Sequence, residues 1–231
     1  MKRLIILALA ATIGISSCAT LGQLIAEPTS LETITALKEV LNSSSFRAIK
    51  TLKKMQKNGI VGALPDEVGG VLNALKGLGL GKEIEGVTNT ITKASGIVAE
   101  ESAAIVGDAI KEVKFGDAVA VVVGGEDAAT AVLRKAMYGA VKKRYSERLD
   151  QELNKADVNQ YWPLAAGAYN VFAKEKVDAN LSDFLAERAV DALFLTMGKE
   201  EKQIRTDPAS LGKQVVTKVF DYYVNKKRRQ S

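Results

Sequence analysis

The chain has 231 residues, 47% of them hydrophobic, with 32 Lys and Arg against 27 Asp and Glu. That length and apolar share suit one domain or two closely packed lobes with a sizeable core. It contains no histidine and a single cysteine, Cys18, which excludes Ser-His-Asp and Cys-His nucleophiles and internal disulfides, and leaves no histidine or thiolate set for a metal. No cofactor or metal site is therefore expected, and any catalysis would fall to carboxylate, lysine, tyrosine or serine.

Lys2 and Arg3 open the chain, Leu4 to Ile15 carry no charge, and Ser16 and Ser17 follow. This is the order of regions in a secretory signal peptide, and the apolar run is shorter than the roughly 20 residues of a spanning helix. The stretch Ile15-Ser16-Ser17-Cys18 resembles the lipobox of bacterial lipoproteins. The resemblance implies that residues 1–17 are removed and that the Cys18 sulfur carries a diacylglyceryl group, with acyl chains (palmitate among them) holding the protein on a membrane. Ala19 after the cysteine favours the outer membrane, facing the periplasm. Residues 18–29 then read as the lipidated cysteine and a tether, whose last eleven residues reach at most about 36 Å.

Without Lys2 and Arg3, 30 basic residues face 27 acidic ones, and four of the basic ones are Lys226, Lys227, Arg228 and Arg229. The body is thus near neutral and residues 225–231 form a basic tail, either frayed or touching anionic headgroups or wall polymer. A nucleic-acid reader carries its charge on a folded face, so nucleic acid is not an expected partner.

Residues 30–224 read as one all-α domain, a multi-helix bundle. Thr29 and Glu32 have capping-box spacing, followed by an apolar stripe at Ile34, Leu37 and Leu41. Asn42 to Ser45 reads as a polar break before a basic helix, Phe46 to Lys57, ending at Asn58-Gly59. Pro65-Asp66-Glu67 starts a further helix. After a glycine-rich turn, Ile84, Val87, Ile91, Ala94 and Val98 mark one helix face, with a separate helix over Ala103 to Val113. The stretch FGDAVAVVVGG reads either as a strand or as a helix end. Beyond it, Ala129, Leu133, Ala136, Met137 and Ala140 form an apolar face. Asp157 to Ala173 reads as a helix that Pro163 kinks or starts late. Leu181, Leu185, Ala189, Ala192, Leu193 and Thr196 form a clear stripe, and Asp207-Pro208 reads as cap and first-turn proline of a last helix, Ala209 to Tyr223.

Four segments, LGLGKEIEG, GGEDAATAVLRK (124–135), NQYW (159–162) and EEKQIRTDPA (200–209), resemble the bacterial family called domain of unknown function 4197, in order and spacing over residues 32–223. The resemblance implies an exported, often lipid-anchored envelope protein that is mostly helical and has no assigned activity. Pro163 and the basic tail depart from the family pattern.

Several motifs fail on inspection. GLGLGKE has Lys76 and Glu83 where a phosphate loop needs Gly and Ser or Thr. VVVGGEDAA lacks dinucleotide spacing, and SLGK (210–213) has no second lysine motif beside it. DANLSDFLAE places Asp183 and Ala189 where a calcium loop needs Gly and Glu. Two candidate sites remain. Glu200, Glu201, Arg205 and Asp207 form a polar cluster, in which Arg205 either binds a carboxylate or phosphate or locks two helices while Asp207 caps the next. Tyr161, Trp162, Tyr169 and Phe172 either line an apolar groove or pack in the core. The expected function is non-enzymatic binding or scaffolding in the envelope, with an apolar or acyl ligand between helices; the alternative is a carboxylate- or lysine-based enzyme acting on envelope lipid or glycan.

Overall fold

The computed structural model describes residues 26–57, 66–155 and 158–230, with side chains as far as Lys227. Cys18, residues 1–17 and most of the tether lie outside the described residues, as do Asn58-Gly59, Pro65 and Asp157. The described chain is all-α and contains no strand. Its helices are α1 (Ser30–Lys57), α2 (Asp66–Gly77), α3 (Ile84–Glu112), α4 (Ala118–Val122), α5 (Ala128–Leu153), α6 (Val158–Phe172), α7 (Leu181–Thr206) and α8 (Gln214–Gln230). None of them is long and apolar enough to cross a membrane.

The capping box forms at the start of α1. The Thr29 backbone N–H donates to Glu32 (2.8 Å) and the Glu32 N–H to the Thr29 hydroxyl (3.2 Å). These bonds satisfy amides that have no partner inside the first turn. A Lys218 contact at 2.6 Å, together with the Thr29 amide, holds the Glu32 carboxyl below its ordinary range.

The expected break at Asn42 to Ser45 does not occur; α1 runs straight through it. The Ser44 hydroxyl donates to the Val40 carbonyl (2.7 Å) and the Ser45 hydroxyl to the Asn42 carbonyl (2.9 Å). Both serines are buried, so each meets its hydrogen-bonding need on its own helix. Likewise α3 is one helix where two were expected, since Ser102 bonds back to Val98 (2.8 Å) on the buried face.

The valine-rich stretch resolves as the short helix α4. Asp117 caps it by accepting from the Ala120 N–H (2.9 Å). On α5, Ala129 and Leu133 are buried and Met137 packs against the core, but Ala136 and Ala140 face solvent. The buried stripe turns instead to Val141, Tyr145, Leu149 and Leu153. Pro163 sits inside α6 rather than starting it.

The last helix also begins later than expected. Pro208–Leu211 is a 3-10 turn without a side-chain cap from Asp207, and Gly212 follows at φ +63°, a conformation glycine adopts at little cost. At the other end α8 continues past residue 224 to Gln230, so the start of the basic stretch is helical.

The four long helices α1, α3, α5 and α7 pack in a ring, with α5 most extensively on α7 and α1 against both α3 and α7. α8 lies on α1 near α4, while α2 and α6 pair outside α3. That pair approaches closely: a Cβ on Gly70 would overlap the Tyr169 ring.

Candidate functional site

The polar cluster comes apart into a tight pair and two bystanders. Glu201, on α7, has 0% exposure. Its carboxylate accepts from the backbone N–H of Ala129 (2.9 Å) and Thr130 (2.7 Å) and from the Thr130 hydroxyl (2.6 Å). These amides belong to the first turn of α5, whose own N-cap residue, Asp127, makes no capping bond. Glu201 therefore caps α5 from a neighbouring helix and meets the positive end of its dipole.

Arg205, one turn further along α7, donates from Nε to Glu201 (2.8 Å). Its Nη1 and Nη2 donate to the carbonyls of Val122 (2.8 Å) and Val121 (3.1 Å) at the end of α4. The guanidinium lies 5.2 Å from the centre of the Phe220 ring. One ion pair thus joins the end of α4, the start of α5, α7 and α8. Of the two sequence readings of Arg205, the structure favours the lock between helices. Asp207 is exposed and makes no capping bond to the next helix, and Glu200 takes no part in the junction.

Thr130 and the Val121 and Val122 carbonyls are the partners that sequence reasoning missed. The Glu201–Arg205 spacing pointed to a helical ion pair, but its long-range partners carry no local signal.

The aromatic group does not form a groove either. Trp162 has 0% exposure, donates from its indole N–H to the Asp178 carbonyl (2.9 Å) and leans on Phe184, 5.8 Å away between ring centres. Tyr161 and Tyr169 are partly buried against the core. Phe172, at the end of α6, is 92% exposed. Three of the four thus pack inward along the helix, and the fourth faces solvent.

An apolar cavity does exist, elsewhere. It is a half-open space between α1, α3, α5 and α7, bordered by the start of α2, with a volume of about 560 Å³. Its floor is Val98, Leu149, Leu185 and Leu193, and its walls include Ile49, Leu52, Ala99, Ala189 and Ala192. Ser95, Ala99 and Ser102 on α3 recur at four and three residues, which puts three small side chains on one helix face. That spacing is the signal in the sequence that points to the space. Three hydroxyl-bearing side chains line it, Ser95, Ser102 and Tyr145. Burial pushes the Tyr145 phenol up to about 12, a rise the Ser102 hydroxyl partly offsets. It stays neutral and able to donate a hydrogen bond.

Charged residues also line this cavity. Arg188 pairs with Glu67 at 2.6 Å and stands over the Phe184 ring at 5.5 Å, and Asp66 lies beside Glu67 at the start of α2. An apolar space of several hundred Å³ with a few convergent polar groups has the general make-up of a small-molecule site.

Fold and cavity together define an all-α bundle with a ligand-sized space among its long helices. A family model described as a protein of unknown function (DUF4197) matches residues 27–221, and the chain belongs to that family. No curated protein and no solved structure matches the chain.

Proposed function

We propose that the protein is a non-enzymatic binding protein of the bacterial envelope, anchored through lipidated Cys18 and facing the periplasm. In this reading its helical body takes an apolar or acyl chain into the space between α1, α3, α5 and α7. One observation carries the binding part: a space of about 560 Å³ bounded by Ile49, Leu52, Val98, Leu149, Leu185 and Leu193 within the described core. The Tyr145 phenol and Ser102 hydroxyl would orient a polar group on the ligand, and Arg188 suits an anionic head. The N-terminal pattern ending in Cys18 supports the location.

Native mass spectrometry of the protein purified from membranes tests both parts. The expected result is one apolar or acyl molecule per chain, besides the acyl groups on Cys18. Ala192→Phe places a ring in the cavity and should lower ligand occupancy at least about tenfold, a loss of 1.4 kcal/mol or more in binding, while the fold persists. Protein that is empty as isolated and turns over envelope lipid or glycan would overturn this reading in favour of the enzymatic one. An intact mass without acyl groups would remove the anchor.

A further inference from the structure

The two ends of the described chain meet. Glu27 lies 3.6 Å from Lys226, and the Tyr223 hydroxyl donates to the Pro28 carbonyl (3.2 Å). The segment leading back to Cys18 therefore leaves the body beside the basic end of α8. Cys18 precedes Ala26 by eight residues, at most about 26 Å of extended chain.

The same end carries a cleft of about 380 Å³ between α4, α7 and α8, lined by Lys202, Arg205 and Lys227 and by one carboxylate, Glu126, with Phe220 and Val224 as apolar walls. Lys202 pairs with Glu126 (2.8 Å) and Lys226 with Glu27, all of them surface contacts of small net worth. Lys227 bonds the Val123 carbonyl (3.0 Å), which leaves its charge uncompensated by that partner. Arg228 and Arg229 follow in the sequence.

We propose that this end is a second, electrostatic contact with the anchoring membrane, in which the phosphate of an anionic phospholipid seats in the cleft between Lys202 and Lys227. Lys226, on the same end of α8, lies over a neighbouring headgroup. The proposal rests on the reading that Cys18 is the anchor, because the anchor brings this end to within a tether length of the bilayer. Each basic residue near an anionic surface is worth about fivefold in binding, and salt screens that attraction.

The test uses the full processed chain purified from bacterial membranes and reconstituted with phosphatidylcholine vesicles, with or without phosphatidylglycerol. Flotation reports the anchor, and acetylation of individual lysines reports the contact. The expected result is flotation on both vesicles, with Lys202 and Lys227 acetylated about fivefold more slowly on the anionic ones. High salt should abolish that protection, and Lys50 and Lys54, toward the far end of α1, should stay reactive throughout. In Lys226→Gln/Lys227→Gln the protection of Lys202 should be lost while flotation persists. Flotation on both vesicles with equal lysine reactivity would overturn the contact and leave the anchor standing. Protection on anionic vesicles without flotation on neutral ones would uphold the contact and overturn the anchor. Flotation on neither would overturn the contact as well.

Discussion

The junction around Glu201 and Arg205 and the cavity around Tyr145 share helices α5 and α7 but are built on opposite terms. At the junction, charged groups are buried and their partners are supplied by helix ends, so geometry is fixed and little bonding capacity is left for a ligand. In the cavity, small side chains leave apolar surface uncovered, with a few polar groups, among them the Arg188–Glu67 pair, set into it. The contrast teaches that the conspicuous charged pair serves the fold, and that the uncovered space lies among residues that look ordinary in the sequence.

The sharpest way to break this contrast is Glu201→Ala. It strands the Arg205 charge and the amides of Ala129 and Thr130, and should lower stability by about 3–5 kcal/mol, read as a fall in the urea midpoint. A loss below about 1 kcal/mol would mean the pair behaves as a surface ion pair.

High pH probes the cavity side. The Tyr145 phenol titrates near 12 in the fold and near 10 in the unfolded chain. Its contribution is complete below pH 10 and is lost as pH rises through 12, because the unfolded chain releases the proton first. The loss is on the order of 2–3 kcal/mol, and Tyr145→Phe should remove this part of the alkaline slope in denaturant titrations.

Arg205→Lys keeps the charge but loses the fork that reaches Val121 and Val122. It should cost about 2 kcal/mol in the same unfolding assay, less than Glu201→Ala because an ion pair remains. Phe172→Ser, at the exposed end of α6, should change stability by less than about 0.5 kcal/mol, and it should leave ligand occupancy unchanged if the cavity and not the aromatic set binds.

Much of the architecture was legible because helix patterning is local. The Thr29–Glu32 cap and the stripe through Leu181, Leu185 and Leu193 are both written within a few residues of themselves. Errors arose where a polar residue found a partner that a linear reading does not supply. Ser44 and Ser45 read as a break because serine favours turns, yet both bond back into α1. Trp162 and Phe172 look equivalent as aromatics, and only the packing of α6 separates a buried indole from an exposed ring. The polar pair was legible, but its purpose was not, since the α4 and α5 termini are more than 70 residues away along the chain. The cavity was the least legible feature, because it is defined by what several helices, distant in the chain, fail to fill.

The uninterrupted course of α1 sets a distance. Ile49 follows Ser30 by nineteen residues of helix, about 28 Å at 1.5 Å per residue. Were Cys18 to hold the Ser30 end at a bilayer, as proposed, the length of α1 would separate that surface from the Ile49 wall of the cavity.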